Sequence, residues 1–129
     1  MIYLFIFSLF LTFFVVRIWA HSAHDMKNYG TKKEKSKTVT GWLRIKTGFD
    51  WHHFHFGIII SILILFWVLF FGFSKLNVIL MAIGLSMISD QIVPIVDRKR
   101  NYFHIKNLLT SFLFHVLISI IAIAVYISK

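Results

Sequence analysis

The sequence predicts an all-α polytopic membrane protein, an antiparallel bundle of four transmembrane helices in a single membrane domain over 1–129. Three observations carry this expectation. The chain of 129 residues is 58% hydrophobic, with 15 Phe and only 15% charged residues. A soluble domain of this size cannot bury so much apolar surface, so lipid is the expected solvent. The apolar residues form four runs, each close to the roughly 20 residues that cross a hydrocarbon core. Finally, the 14 Lys and Arg are distributed asymmetrically between the segments that join those runs.

The first run, 2–20, has no basic stretch before it, and its only charge, Arg17, lies at its far end. A cleavable signal peptide has the reverse polarity, so a retained helix is expected. The segment 21–50 is the longest polar stretch and carries Lys27, Lys32, Lys33, Lys35, Lys37, Arg44 and Lys46. Within it Gly41-Trp-Leu-Arg-Ile-Lys46 interleaves apolar and basic residues. This suits a place in the interface, with Trp42 at headgroup level and Arg44 and Lys46 on phosphates.

The second helix is expected over 51–73. Ser74 to Asn77 reads as a tight turn, which makes the third helix, 78–96, an antiparallel neighbour. The segment 97–107 contains Asp97-Arg-Lys-Arg100, and the fourth helix covers 108–128. With four spans, twelve of the 14 basic residues fall on one side, and only Lys75 and Lys129 on the other. The positive-inside rule then places the loops 21–50 and 97–107 in the cytoplasm, with both termini outside a plasma membrane.

The net charge of +9 fits anionic headgroups rather than nucleic acid, because the basic residues flank apolar runs. The absence of cysteine removes disulfides, iron–sulfur clusters and thiolate metal sites.

All seven histidines and all five acidic residues lie at or near the basic side. Asp90 precedes Asp97 by seven residues, roughly 10 Å inside the boundary, and His115 follows Asn107 by eight, roughly 12 Å inside. Ionisable groups in hydrocarbon point to function by default, and each of these is the expected partner of the other. A metal ligand or proton-handling pair is one reading, and a hydrogen-bonded lock of the bundle is the other.

Helical spacing aligns Ser86, Asp90 and Asp97 on one stripe, and Asn107, Ser111, His115 and Ser119 on another. Pro94 has no N–H and releases a carbonyl near Asp90. His53, Gly57 and Ser61 align and invite close approach of a neighbouring helix. Nearer the surface, Arg17, His21 and His24 share a face, as do His52 and His55, with His53 beside them. A His-x-x-His pair on a helix presents two imidazoles to one metal. The expected picture has two tiers, a histidine cap above a buried Asp90–His115 pair. His21, His24, His52, His53, His55 and Asp90 are the candidate ligands. Contact of these histidines with lipid phosphate is the plainer alternative, and His104 reads as a loop residue.

Imidazole and carboxylate without thiolate suit zinc or iron, and next copper. Haem is disfavoured, because only His115 sits well inside a span. His52-His53-Phe-His-Phe-Gly57 and Gly84-Leu-Ser-Met-Ile-Ser-Asp90-Gln91 resemble small prokaryotic integral membrane proteins with a His-His-x-x-x-Gly helix start and a later Gly…Asp-Glu/Gln element. The resemblance covers about a third of the chain (residues 52–91) and implies no activity. The chain is more weakly similar to membrane-bound metal-dependent hydrolases and to di-iron desaturases and hydroxylases. It departs from the di-iron pattern in lacking a third histidine box.

The leading functional expectation is a metal site at the cytoplasmic leaflet, in an enzyme a metal-dependent hydrolase or oxidoreductase acting on lipid. There Asp90 and His115 would be the catalytic pair. A second is a non-catalytic accessory subunit of a larger membrane complex. A third is a proton-coupled carrier, in which Asp90 and His115 relay protons and a homo-oligomer supplies the pathway.

Overall fold

The computed structural model describes residues 1–23, 39–48, 52–96 and 105–128. Five helices make up nearly all of these segments: α1 (Ile2–Ala23), α2 (Val39–Thr47), α3 (His53–Phe71), α4 (Lys75–Val96) and α5 (Ile105–Ile127). All but the short α2 are long and apolar enough to span a membrane. The chain is a multi-pass membrane protein with the expected four-helix architecture.

The helix ends differ from expectation in instructive ways. The tight turn expected at Ser74–Asn77 lies at Gly72–Ser74 instead. Gly72 has φ 75°, a conformation that favours glycine, and its N–H donates to the Val68 carbonyl at 2.9 Å, closing α3. Ser74 Oγ then accepts the Asn77 N–H at 3.2 Å, which caps α4, and the Asn77 amide donates to the Gly72 carbonyl at 3.0 Å. A capped start therefore draws 75–77 into α4. α1 also runs three residues beyond the expected end at 20, and α5 starts three residues before 108.

α4 is the central element. It packs on α1, α3 and α5, while α1 also meets α5. α4 runs antiparallel to α3, and the closest approach is backbone to backbone. A Cβ on Gly57 would lie 2.7 Å from the Gly84 carbonyl oxygen and 2.9 Å from Met87 Cβ. A Cβ on Gly84 would lie 2.5 Å from Ser61 Oγ. Only glycine permits this spacing, as expected of the His53–Gly57–Ser61 face.

The packing is inverted relative to a soluble protein. Large apolar side chains such as Tyr3, Leu69, Phe70 and Phe71 point outward, as lipid-facing groups do. The buried positions are mostly polar: Ser8, Arg17, Asn77, Ser86, Ser89, Asp90, Gln91, Asn107, Ser111, His115 and Ser119. Seven of these eleven fall on stripes four residues apart. Leu9, Phe13 and Arg17 on α1 face Ala82, Ser86 and Asp90 on α4, and Ser119, His115 and Ser111 on α5. Because α1 and α4 run parallel and α5 opposes them, the stripes form levels one helical turn apart.

Candidate functional site

The polar level nearest the basic end is built around Asp90, which is 1% exposed. Arg17 Nε donates to Asp90 Oδ1 at 2.6 Å. Arg17 Nη2 donates to Ser111 Oγ at 3.0 Å, and Ser111 Oγ donates to the Asp90 backbone carbonyl at 3.1 Å. That carbonyl is the one Pro94 leaves without its helical N–H partner, four residues on. The serine of α5 therefore completes the helix ladder that the proline interrupts. The second carboxylate oxygen, Asp90 Oδ2, lies 3.6 Å from His53 Nε2 on α3.

One turn deeper, His115 is fully buried. Its Nδ1 lies 2.7 Å from the Ser111 carbonyl, and its Nε2 lies 2.9 Å from Ser86 Oγ. A carbonyl only accepts, so Nδ1 carries the proton. In the neutral ring Nε2 then accepts the Ser86 hydroxyl. The Phe13 ring packs on the imidazole at 4.6 Å between centroids, and Ser119 Oγ donates to the His115 carbonyl at 2.9 Å.

These contacts revise the expected pairing. Asp90 takes Arg17 as its ion-pair partner, and His115 bonds to Ser86 and Ser111 instead of Asp90. The physical reason lies in the helix ends. Arg17 is six residues from the end of α1 and Asp90 six residues from the end of α4. Both are thus roughly 9 Å inside, and two opposite charges at one depth in hydrocarbon attract strongly. A first helix ending at 20 puts Arg17 only three residues inside, too shallow to meet Asp90, whereas α1 continues to Ala23. The missed signal was Arg17 itself, the only charge in the first apolar run.

The two expected tiers are also redistributed. His53 joins Asp90 in the buried level. His52 and His55 stay at the start of α3: His52 is its extended N-cap residue, and its N–H donates to His55 Nδ1 at 3.1 Å. Their rings lie 6.2 Å apart at 23°. The His55 ring therefore caps the helix through one nitrogen. His24, His104 and the side chain of His21 lie outside the described residues, although α1 includes His21 in its last turn. Among the described residues, no three His, Asp or Glu side chains converge as a metal-binding group.

Fold and site together define a four-span helical membrane protein with a charge-paired, hydrogen-bonded tier near one end. That tier joins all four spans through Arg17, His53, Asp90 and Ser111. Compared with protein-family models, curated proteins and solved structures, the chain matches none.

Proposed function

We propose that the chain binds a transition metal, zinc or iron, at the cytoplasmic leaflet, with His53 and Asp90 as its central ligands. One observation carries this reading. Asp90 offers one oxygen to Arg17 and turns the other toward His53 Nε2 at 3.6 Å. That distance exceeds a hydrogen bond. Two ligands at about 2.1 Å from a tetrahedral metal stand about 3.4 Å apart, so the pair needs almost no movement to share an ion. A ligating carboxylate is ordinarily held through its other oxygen, and Arg17 does this here. The remaining ligands would come from His21, His24, His52 or His55.

The bound ion would supply Lewis acidity and an acidified water. A lipid would reach such a site laterally, since the outer surfaces of the spans are apolar and exposed. Arg17 weighs against the proton-carrier alternative: it already holds one oxygen of the carboxylate that such a relay would use. The roles expected for Asp90 and His115 separate accordingly. Asp90 would hold the metal, and His115 would fix Ser111 and through it the Asp90 backbone.

The test is elemental analysis of gently purified protein beside His53→Ala and His52→Ala/His55→Ala variants, each checked for retained helicity. About one metal equivalent, lost in His53→Ala, is the expected result. Loss only in the double variant would move the site to the helix cap. Protein that stays metal-free after reconstitution would overturn the reading and bring the accessory-subunit alternative forward.

A further inference from the structure

α2 has nine residues, Val39–Thr47, and spans roughly 14 Å, less than half of a hydrocarbon core. It lies in sequence between two spans, so both of its ends are tethered to the bilayer. Gly48, at φ 71°, stops it, as a left-handed glycine after a helix does. Trp42 and Ile45 lie one turn apart and are about half exposed, at 49% and 47%. Lys46 lies four residues after Trp42, and its Nζ sits 4.6 Å from the centre of the indole ring. Apolar and cationic groups thus share one face.

An ammonium lying over a tryptophan at the edge of an apolar face is the arrangement that a headgroup layer accommodates. The indole takes the acyl boundary, and the lysine stem follows it while its charge stays with phosphate. The helix also belongs to a segment with Lys27, Lys32, Lys33, Lys35, Lys37 and Arg44 against only Asp25, Glu34 and Asp50. That excess complements a negative surface. Nucleic acid would share the charge preference but offers nothing for Ile45.

We propose that α2 is an anionic-phospholipid-binding helix, seated in the headgroup layer through Trp42 and Ile45 and selective for negative lipid through Lys46 and the net basic charge of its segment. The inference does not depend on the metal reading. One consequence does touch that site: α2 ends five residues before His52, so its seat on the bilayer holds the histidine-bearing start of α3 at the same surface.

The full chain, with Trp19, Trp51 and Trp67 changed to Phe, is placed in nanodiscs of phosphatidylcholine with and without phosphatidylglycerol. Its helicity is first matched to wild type. Trp42 emission and its quenching by lipids brominated near the headgroup are recorded. Blue-shifted, quenchable emission that strengthens with phosphatidylglycerol is expected. In Arg44→Gln/Lys46→Gln the ratio of seated to water-facing Trp42 should fall roughly fivefold per charge, so about 25-fold. Quenching that is indifferent to phosphatidylglycerol would overturn the proposal. So would blue emission that lipid cannot quench, because Trp42 would then be covered by protein.

Discussion

Arg17 and Asp90 illustrate what an ionised residue requires inside a membrane. Each alone would cost about 2.5–3.5 kcal/mol near the centre of a span. Together they neutralise one another, and Ser111 ties the pair to α5. Removing the cation should therefore cost much more than removing a neutral hydrogen bond. Arg17→Ala is expected to destabilise the bundle by about 3–5 kcal/mol, and Arg17→Leu/Asp90→Leu to recover most of the loss. Ser86→Ala, which withdraws one hydroxyl from His115, should cost only about 1 kcal/mol. Reversible unfolding in mixed micelles measures all three. Equal costs for Arg17→Ala and Ser86→Ala would mean that the ion pair adds nothing beyond a hydrogen bond.

At the scale of elements, the position of His53 against Asp90 is set by the α3–α4 contact. Gly57 lies one turn from His53 and touches the backbone of α4 at Gly84. Gly57→Val must push α3 outward, because its Cβ would fall 2.7 Å from a carbonyl oxygen that cannot yield. A loss of about 1–3 kcal/mol is expected. The same variant is expected to lose the proposed metal even though every ligand remains. Metal retained at wild-type stoichiometry would show that the α3–α4 spacing does not shape the site. The α3–α4 turn offers a gentler probe. Ser74→Ala removes the cap of α4, should cost about 1 kcal/mol, and should leave metal content unchanged, because Ser74 lies at the far end of α4. Thermal unfolding in detergent, read by far-UV circular dichroism with metal assayed in parallel, checks both variants.

At the scale of the whole molecule, the polar interior and apolar exterior follow from lipid as solvent. Lipid offers nothing to a polar group, so Ser, Asn, Asp, Arg and His turn inward and satisfy one another. The alternation of span direction is testable because the natural chain has no cysteine. Single variants Lys35→Cys and Arg100→Cys should react with an impermeant maleimide only after the cells are opened. Lys75→Cys, at the other end of α4 from Asp90, should react from outside. Labelling of Lys35→Cys on intact cells would invert the topology.

Hydropathy and period alone settle the number of spans, the antiparallel order of α3 and α4, and which faces carry the polar residues, because these properties are local to each helix. The Asn107–Ser111–His115–Ser119 stripe, the Gly57 face and the carbonyl released by Pro94 were all legible in that way. The partners were not. Whether Asp90 meets His115 or Arg17 depends on the relative height and rotation of separate helices. A three-residue error at one helix end shifts height by roughly 4.5 Å, enough to exchange one partner for another. Only the tertiary structure could place Arg17 on Asp90, Ser86 on His115 and His53 within 3.6 Å of the remaining carboxylate oxygen.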